Sequence, residues 1–468
     1  MSKKSELIKN TIILTVGKIC TQLVSFLLLP LYTALLEPGQ YGAVDLFNTY
    51  CTLSLPIFNW QFDNGLFRFL LDARDDNNYQ KSIFTTVMNA NFFQSLLYIL
   101  FYILMRNYIT LTYKMYLALD ILFSIFLCSL LQFARGIGST AKYTVASFIS
   151  ATSTVVMNVV LIVFYHMGAE GMFISSVLSK FITIIYLAIS LRVDRYYIWY
   201  HFSKKVFKEI FVYSVPLIPN QLSWWVVGAS DRMIISHILG IAANGVYSVA
   251  NKFSGLFITF YNIFNLSWTE SVSLHINDLD GEDFLKDTIN SMFKLFSSAC
   301  FGLISIMPFL FPIMVNQQYE LAYQQIPILM IAVLFQVLVG LYSVIYVALK
   351  KSGEIARTSF YAAAINLVIN ILFIKSWGLF AASFSTFTAY LVMGIYRYFH
   401  VKQYVNIPIQ KRCVMWTMAI GCVSVVSYYS GNIVVNTVGL AVVCIYSVVV
   451  NWSFLRFIFK MVRNFRHN

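Results

Sequence analysis

Long apolar segments recur along the whole of this 468-residue chain, and they constrain its fold more than any other feature. A membrane-spanning helix needs about 20 mostly apolar residues, because the hydrocarbon layer is about 30 Å thick and offers no water to backbone polar groups. The sequence contains about 14 segments of this kind. Hydrophobic residues make up 59% of the chain and charged residues 11%, whereas a soluble protein carries roughly 25% charge. We therefore predict an all-α integral membrane protein.

The net charge of +13 could indicate a nucleic-acid partner, but the distribution of the basic residues argues against one. With the N-terminus placed in the cytoplasm, nearly all Lys and Arg residues fall in loops and helix ends on the cytoplasmic side. The predicted opposite side carries only Arg106, Lys114 and Lys375. This asymmetry is the positive-inside rule of membrane proteins. It predicts an even number of helices, both termini in the cytoplasm, contacts with membrane lipids and no nucleic-acid partner.

A block of the sequence recurs in the second half of the chain, which indicates an internal duplication. Residues 41–50 align with residues 244–253, so that Gly42 is equivalent to Gly245. A second pair of similar blocks follows in the same order. Such duplication in a membrane protein is typical of transporters whose substrate site lies between two bundles.

The chain is predicted to have four parts. A six-helix bundle covers residues 1–191, and a basic cytoplasmic linker covers residues 192–208. A second six-helix bundle covers residues 209–400, and two further helices with a basic cytoplasmic tail cover residues 401–468. No loop is long enough to form a separate soluble domain. The function is therefore expected to lie within the membrane.

Prolines and polar stretches set the bounds of the individual helices. Helix 2 is predicted over residues 41–66 and helix 8 over residues 244–268. Helix 7 is predicted over residues 210–235, with interruptions at Pro216 and Pro219, since proline removes a backbone donor.

No metal or cofactor site is predicted from the sequence. The acidic stretch over residues 269–287 lacks the twelve-residue spacing of a calcium loop, so we predict a solvated loop there. The seven cysteines lie in apolar segments without CxxC or zinc-ligand spacing. We therefore predict no disulfide and no zinc site.

Three lysines inside predicted helices are the strongest candidates for a functional site, because a charge near the bilayer centre costs at least about 2.5 kcal/mol. Lys180 lies in mid-helix on a polar face with Ser176 and Thr183. Lys252 lies on a face of small and polar residues. Lys18 also shares a polar face in the first predicted helix, where it could line a cavity or extend to the interface. We predict that these cations line a cavity and bind an anionic substrate group.

Four further charged residues lie nearer the predicted outer surface. Asp231 and Arg232 lie near the outer end of helix 7, where they could form ion pairs between the bundles or reach the outer headgroups. Arg232 therefore joins the candidates for the cationic cavity. Asp45 and Asp120 lie about one turn from the outer surface. Either carboxylate, or Asp231, could serve as a coupling or gating group for H⁺ or Na⁺, the alternative being an ordinary interfacial carboxylate.

The sequence QLVSFLLLPLYTALLEPGQYG, at the end of helix 1 and its outer turn, resembles the amino-terminal signature of polysaccharide transport proteins of the O-antigen (Wzx-type) flippase family. That family begins its second half with a Ser-x-Pro-x-x-Pro helix leading to Asp-Arg and then Gly-x-Tyr-Ser. The matching residues here are Ser214, Pro216, Pro219, Asp231, Arg232, Gly245, Tyr247 and Ser248. The resemblance extends over the first twelve predicted helices and more loosely over the last two.

This resemblance implies a fold of two six-helix bundles related by a pseudo-twofold axis, as in the multidrug/oligosaccharidyl-lipid/polysaccharide (MOP) exporter superfamily, which includes MATE transporters. It implies a flippase that moves undecaprenyl-pyrophosphate-linked oligosaccharide from the inner to the outer leaflet by ion-coupled alternating access. The repeat unit would serve lipopolysaccharide O-antigen, capsule or exopolysaccharide synthesis, alongside other polysaccharide-assembly proteins. The lysines suit such a substrate, because a pyrophosphate needs cations whereas its lipid tail can stay in the bilayer.

Two other functions compete with this interpretation. A MATE-like drug or metabolite exporter would favour acidic residues deep in the cavity, whereas this chain has deep lysines. An intramembrane prenyl- or glycosyl-transferring enzyme would need paired acidic motifs or a large outer loop, and the sequence has neither. It also lacks a usable hydrolase, metalloprotease, P-loop or Rossmann motif. We therefore expect a transporter and not an enzyme.

Overall fold

The computed structural model describes residues 26–73, 76–107, 113–276, 278, 281–349, 351–405, 410–452 and 456. These residues form α-helices joined by short turns, and no β-strand occurs among them. Within this described part, nine helices are long and apolar enough to cross a membrane. The predicted all-α integral membrane fold is confirmed.

The chain divides into two compact units, Met1–Gly245 and Val246–Asn468. The first unit therefore extends past residue 209, where the sequence analysis starts the second bundle. The functional division into two six-helix bundles stays a prediction, and each unit is described by itself.

The first unit is built from long helices and short connecting helices. They are α1 (Leu29–Leu35), α2 (Pro38–Phe58), α3 (Phe62–Asp72), α4 (Asn77–Met105), α5 (Lys114–Gly136), α6 (Thr140–Val159), α7 (Gly168–Leu191), α8 (Lys204–Ser214) and α9 (Leu217–Ile238). A π-helical turn, Val160–Phe164, extends α6. Helix α7 packs against both α5 and α6, and α2 packs against α5 and α9.

The apolar core of the first unit lies where α3, α4 and α5 meet the end of α7 and the start of α8. Phe62, Leu66, Phe84, Phe133 and Ile210 are fully buried there. The opposite side of α4 exposes large apolar side chains at a helical spacing. They are Phe92, Leu96, Leu100 and Leu104. An exposed apolar stripe of this length matches a helix that faces lipid.

The second unit contains most of α10 (Ile241–His275), which begins at its boundary with the first. The remaining helices are α11 (Gly281–Met314), α12 (Leu321–Ala348), α13 (Ser352–Trp377), α14 (Leu379–Val401), α15 (Lys411–Tyr429) and α16 (Ile433–Val450). Helix α14 packs along α12 and α13, whereas α15 and α16 pack against α11.

The largest fully buried side chain of the second unit is Arg397 of α14. Its guanidinium donates to the Thr358 Oγ1 atom of α13 at 2.7 Å and to the carbonyl oxygen of Val339 in α12 at 3.2 Å. It also donates to the Ser343 hydroxyl and to the carbonyl oxygen of Ile355. One arginine thus joins all three helices of this group.

Helix 2 of the sequence analysis is wrong as one continuous helix over residues 41–66. The helix begins earlier, at Pro38, where Glu37 caps it through a capping box with Gln40. It ends at Phe58, and α3 begins only at Phe62. Trp60 and Gln61 adopt positive φ angles of 50° and 57°, which no α-helix accommodates. The apolar composition runs through this break and therefore conceals it.

The prediction for helix 7 also needs correction. The chain forms a separate amphipathic helix, α8, which overlaps the end of the predicted linker, and α9 begins again at Leu217. Pro216 is the N-cap residue of α9. Pro219 lies in the first turn of α9, where a missing backbone donor costs no helical hydrogen bond. The predicted interruption is thus real, but it falls between two helices.

The predicted solvated loop over residues 269–287 is largely helical. Helix α10 continues to His275, and α11 begins at Gly281. The acidic residues Glu282 and Asp283 lie in the first turn of α11, where negative charge is favoured by the helix dipole. An acidic helix start therefore accounts for much of this polar stretch.

Candidate functional site

The Asp120 cluster is a group of polar side chains between α2, α5 and α7. The Lys180 Nζ atom lies 2.5 Å from the Asp120 Oδ2 atom and donates to the Ser124 Oγ atom at 2.8 Å. Ser176, one turn before Lys180 on α7, donates to the Asp120 Oδ1 atom at 2.7 Å. The Cys51 thiol of α2 donates to the Asp120 Oδ2 atom at 2.9 Å.

The two charged groups of this cluster differ in exposure. The Asp120 side chain is 1% exposed, whereas the Lys180 side chain is 21% exposed. Removing a carboxylate from water costs several kcal/mol, and a hydrogen-bonded ion pair is the usual compensation. The net charge of the pair is therefore close to zero. The Lys180 ammonium is accessible to an approaching molecule, whereas the Asp120 carboxylate is not.

A second ion pair joins α2 to α9. The Arg232 Nε atom lies 3.0 Å from the Asp45 Oδ2 atom, and the Arg232 guanidinium also donates to the carbonyl oxygen of Gly228. Asn244, just after the start of α10, donates to the same Asp45 oxygen at 3.2 Å. The Asp45 and Arg232 side chains are only 17% and 19% exposed.

The starts of α2 and α10 approach each other closely beside this second pair. A methyl group added to Gly42 would meet the backbone of Ile241 and would lie 2.8 Å from the backbone nitrogen of Gly245. A methyl group added to Gly245 would meet the backbone of Pro38 and would lie 2.9 Å from the backbone nitrogen of Gly42. The glycines that the sequence repeat makes equivalent are thus in contact, which is why both positions need glycine.

The structure pairs four of the predicted site residues in a way that the sequence does not reveal. Lys180 is paired with Asp120, and Arg232 with Asp45, so neither cation is a free charge. The pair of Arg232 with Asp45 joins residues of the two predicted bundles, which is one of the two alternatives that the sequence leaves open for Arg232. The hydroxyl and amide partners were not predicted, although Ser124 one turn after Asp120 is a detectable signal.

Two of the remaining predicted site residues lie on α9 and α10. Asp231 is 4% exposed in α9. Lys252 is an exposed residue of α10 in the second unit. Lys18 lies outside the described residues. Among the residues that are described, His, Cys, Asp and Glu side chains form no group of three or more that could hold a metal ion.

Both clusters could exchange their charged partners. Each pair combines a carboxylate with a cation on a different helix, so breaking a pair leaves both groups without their counter-charge. A buried pair is expensive to break unless another charge replaces the lost partner. The arrangement is therefore suited to respond to an anion or a cation that enters the site.

A comparison with protein families finds one match, which covers residues 7–268 and more than half of the chain. The matching family is described as "Polysaccharide biosynthesis protein". No curated protein matches the sequence.

Solved structures with the same fold are transporters and flippases of low sequence identity. An inward-facing multidrug resistance MATE family transporter of the MOP superfamily is 12% identical, with a TM-score of 0.70 over 83% of this chain and 98% of that chain. The lipid II flippase MurJ, in an inward closed conformation, is 16% identical, with a TM-score of 0.70 over 96% of this chain and 100% of that one. A MOP superfamily transporter from Pyrococcus furiosus, described with a binding pocket of reverse polarity, is 14% identical. Its TM-score is 0.55 over 84% of this chain and 96% of that chain.

Proposed function

Since this chain belongs to the polysaccharide biosynthesis protein family, we propose that it is a flippase for undecaprenyl-pyrophosphate-linked oligosaccharide repeat units. It moves them from the inner to the outer leaflet of the bacterial cytoplasmic membrane. The resemblance seen in the sequence is confirmed by the family match, and the fold is that of MOP superfamily transporters and not of an enzyme. The structurally similar MurJ, a lipid II flippase, supports a lipid-linked substrate.

The observation that carries this proposal is the partly exposed Lys180 ammonium on a membrane-spanning helix. An ammonium group has three donors, and Lys180 directs two of them at Asp120 and Ser124. The third donor is available to a phosphate oxygen. The pyrophosphate of the substrate carries the negative charge that this cation attracts, while the isoprenoid tail stays in the lipid.

Exchange of partners at Lys180 gives a route to alternating access. A pyrophosphate that binds Lys180 competes with Asp120 for the Lys180 ammonium, so the Asp120 carboxylate loses its counter-charge. A proton or a sodium ion that binds this carboxylate would replace the lost charge and would couple substrate movement to an ion gradient. Asp45 and Asp231 are the further candidates for coupling or gating, with Arg232 and Lys252 as additional cations of the substrate path.

The proposal is tested in a bacterium that lacks its own polysaccharide flippase and accumulates repeat units on the inner leaflet. The chain should restore surface polysaccharide, and Lys180→Ala and Lys252→Ala should each reduce the restored amount while the protein remains in the membrane. Lys375→Ala, at an exposed position in the last turn of α13, is the matched control and should keep full activity. Full activity of both test variants would remove the role proposed for the lysines.

A MATE-like exporter of drugs or metabolites is the alternative, because the MATE transporter matches the fold with the same TM-score as MurJ. Failure to restore polysaccharide, together with resistance to cationic drugs on expression, would favour that alternative. The pairing of Lys180 and Arg232 with carboxylates lowers the net positive charge on which the flippase interpretation depends. The two assays therefore have to be run side by side.

A further inference from the structure

The break between α2 and α3 is an interruption of helical structure next to a membrane-spanning helix. The Asn59 nitrogen donates to the carbonyl oxygen of Leu55, and the Phe62 nitrogen donates to the carbonyl oxygen of Asn59. The positive φ angles of Trp60 and Gln61 prevent the carbonyl groups before them from joining the usual helical pattern. Membrane transporters use broken helices of this kind to place backbone carbonyl groups beside bound cations.

Asn59 at the break and three residues of α4 have buried side-chain oxygens without a hydrogen-bond partner in the described part of the chain. They are Asn59 Oδ1, Asn91 Oδ1, Gln94 Oε1 and Ser95 Oγ. The first three residues are at most 1% exposed, and Ser95 is 8% exposed. Asn91, Gln94 and Ser95 share one face of α4, because they are spaced by three and four residues.

The amide nitrogens of these side chains are already committed to acceptors. The Gln94 nitrogen donates to the carbonyl oxygen of Asn59 at 3.2 Å, and the Asn59 nitrogen donates to the Asp63 Oδ1 atom at 2.9 Å. The Asn91 nitrogen donates to the Ser129 Oγ atom at 2.8 Å. Each amide therefore presents its oxygen as the unsatisfied atom. A buried acceptor without a donor destabilises the folded protein by about 1–3 kcal/mol. Several such acceptors together are therefore unfavourable unless a cation binds to them.

Asp63 supplies the negative charge of this group. It lies in the first turn of α3, where the helix dipole favours an ionised carboxylate, and it is linked to Asn59 by the bond just described. Its side chain forms no ion pair within the described residues, in contrast to Asp45 and Asp120, which are both paired. One uncompensated carboxylate balances a single positive charge.

We propose that the break binds one alkali metal cation, with sodium as the expected ion, through Asp63 and the oxygens of Asn59 and Gln94. Hard cations prefer oxygen ligands of the carboxylate and amide type that these side chains supply. A divalent cation would leave a net positive charge in the membrane, which is unfavourable. Asn91 and Ser95, on the same face of α4, complete the set of oxygens that a bound cation could satisfy.

This cation site deepens the proposed function, because it identifies a place for the coupling ion at residues that the sequence analysis does not select. The site begins at Asn59, the residue that directly follows α2, and α2 also carries Asp45 and Cys51 of the two ion-paired clusters. Occupancy of the break would therefore act on the helix that contacts both clusters. Binding can be measured without any flipping, so the two proposals can fail separately.

The test is thermal unfolding of the purified full-length protein in detergent, with sodium chloride replacing choline chloride at constant ionic strength. A ligand that binds only the folded state raises the melting temperature in a saturable way. Sodium should raise it, and Asp63→Asn should weaken the apparent affinity by roughly tenfold to a hundredfold, since it removes a charged ligand. Gln94→Met, which keeps the volume but removes the oxygen, should weaken it as well.

Asp72→Asn is the matched control, because Asp72 lies on the same helix but is exposed and paired with Arg68. This variant should respond to sodium as the unmodified protein does. Binding of radioactive sodium to protein captured on beads gives a second readout if a variant is too unstable to melt cooperatively. Equal melting temperatures in sodium and choline, or an unchanged sodium response in both Asp63→Asn and Gln94→Met, would overturn the cation site. Intact sodium binding in a protein that does not flip lipid would contradict only the proposed function.

Discussion

The Asp120 carboxylate is 1% exposed and receives side-chain donors from two helices, so its charge depends on the Lys180 partner. Removing one partner of such a pair leaves the other charge buried, which typically costs about 3–5 kcal/mol. We predict that Asp120→Asn and Lys180→Met each lower the melting temperature of the purified protein. The double variant should recover much of the loss, because it leaves no unpaired charge. A double-mutant cycle of melting temperatures measures this coupling.

The exposed pair of Arg68 and Asp72 provides the control for that cycle. Its side chains are 49% and 64% exposed, and such pairs contribute about 1 kcal/mol or less. The cycle on Arg68→Gln and Asp72→Asn should show almost no coupling. Additive losses at Asp120 and Lys180 would mean that the two residues do not stabilise each other.

Arg397 is expected to be the most sensitive single residue of the second unit. Its fully buried guanidinium binds Thr358, Ser343 and two backbone carbonyl groups, and hydrogen bonds to charged groups contribute about 1.5–3 kcal/mol each. Arg397→Met should therefore destabilise the protein by about 3 kcal/mol or more, as measured by unfolding in detergent. Arg357→Met, at an arginine that is 47% exposed and paired with Glu354, should cost about 1 kcal/mol or less. Similar losses for the two variants would contradict this assignment.

At the scale of residues, the sequence identified the charged groups but not their partners. Lys180 and Asp120 could both be chosen as candidate site residues, because a charged residue is rare in an apolar segment. Their contact joins residues 60 positions apart, and hydropathy gives no information about which faces of α5 and α7 meet. The same limit hid Asp63, whose neighbours Asn59 and Gln94 become notable only when their buried oxygens are seen without donors.

Between elements, the contact of Gly42 with the start of α10 depends on the absence of a side chain. A methyl group at Gly42 or Gly245 would meet backbone atoms, which cannot move aside as a flexible side chain can. We predict that Gly42→Ala and Gly245→Ala each destabilise the protein by about 1–3 kcal/mol or separate the two helices. Cross-linking of cysteines placed on α2 and α10, together with thermal unfolding, measures both effects.

Gly39→Ala is the control for this prediction, because a methyl group at Gly39 meets no atom within 4 Å. Alanine there should leave the stability unchanged or raise it by about 0.4–1 kcal/mol, since it restricts the unfolded chain. A Gly42→Ala protein as stable as Gly39→Ala would show that the close approach does not exist in the membrane.

The sequence predicts which segments form helices better than it predicts where these helices end or break. Apolar length and mean composition indicate a spanning helix, which suffices for α4, α5 and α7. The break at Trp60 and Gln61 contains no glycine or proline, so it carries no local signal. The acidic helix start at Gly281 was likewise hidden, because charge alone does not distinguish a loop from a capped helix.

At the scale of the whole molecule, the distribution of basic residues predicts which ends of the helices face the cytoplasm. Tyr200 is 92% exposed in the basic segment between α7 and α8, and Lys375 is exposed at the end of α13. In a background without the native cysteines, Tyr200→Cys should react with an impermeant maleimide only in inverted vesicles. Lys375→Cys should react only in intact cells or spheroplasts. Labelling of both positions from the same side would contradict the predicted topology.

The family and the all-α membrane fold could be inferred from the sequence because both depend on many residues at once. The motif around Pro30 and the Asp231 and Arg232 pair are short, but the apolar segments that they interrupt extend along the whole chain. The division into two bundles stays a prediction. The compact units depend on contacts and not on composition, and the first of them extends to Gly245 and includes α8 and α9.

We propose that this protein moves lipid-linked oligosaccharide across a membrane. The most direct measurement uses vesicles that contain the purified protein and a short-chain, fluorescent polyprenyl-pyrophosphate oligosaccharide in both leaflets, with an impermeant glycosidase outside. We expect the glycosidase to digest nearly all of the lipid when the protein is present and only the outer half when the protein is absent or carries Lys180→Ala. Digestion that stops at one half in vesicles with the unmodified, folded protein would show that it does not flip this lipid.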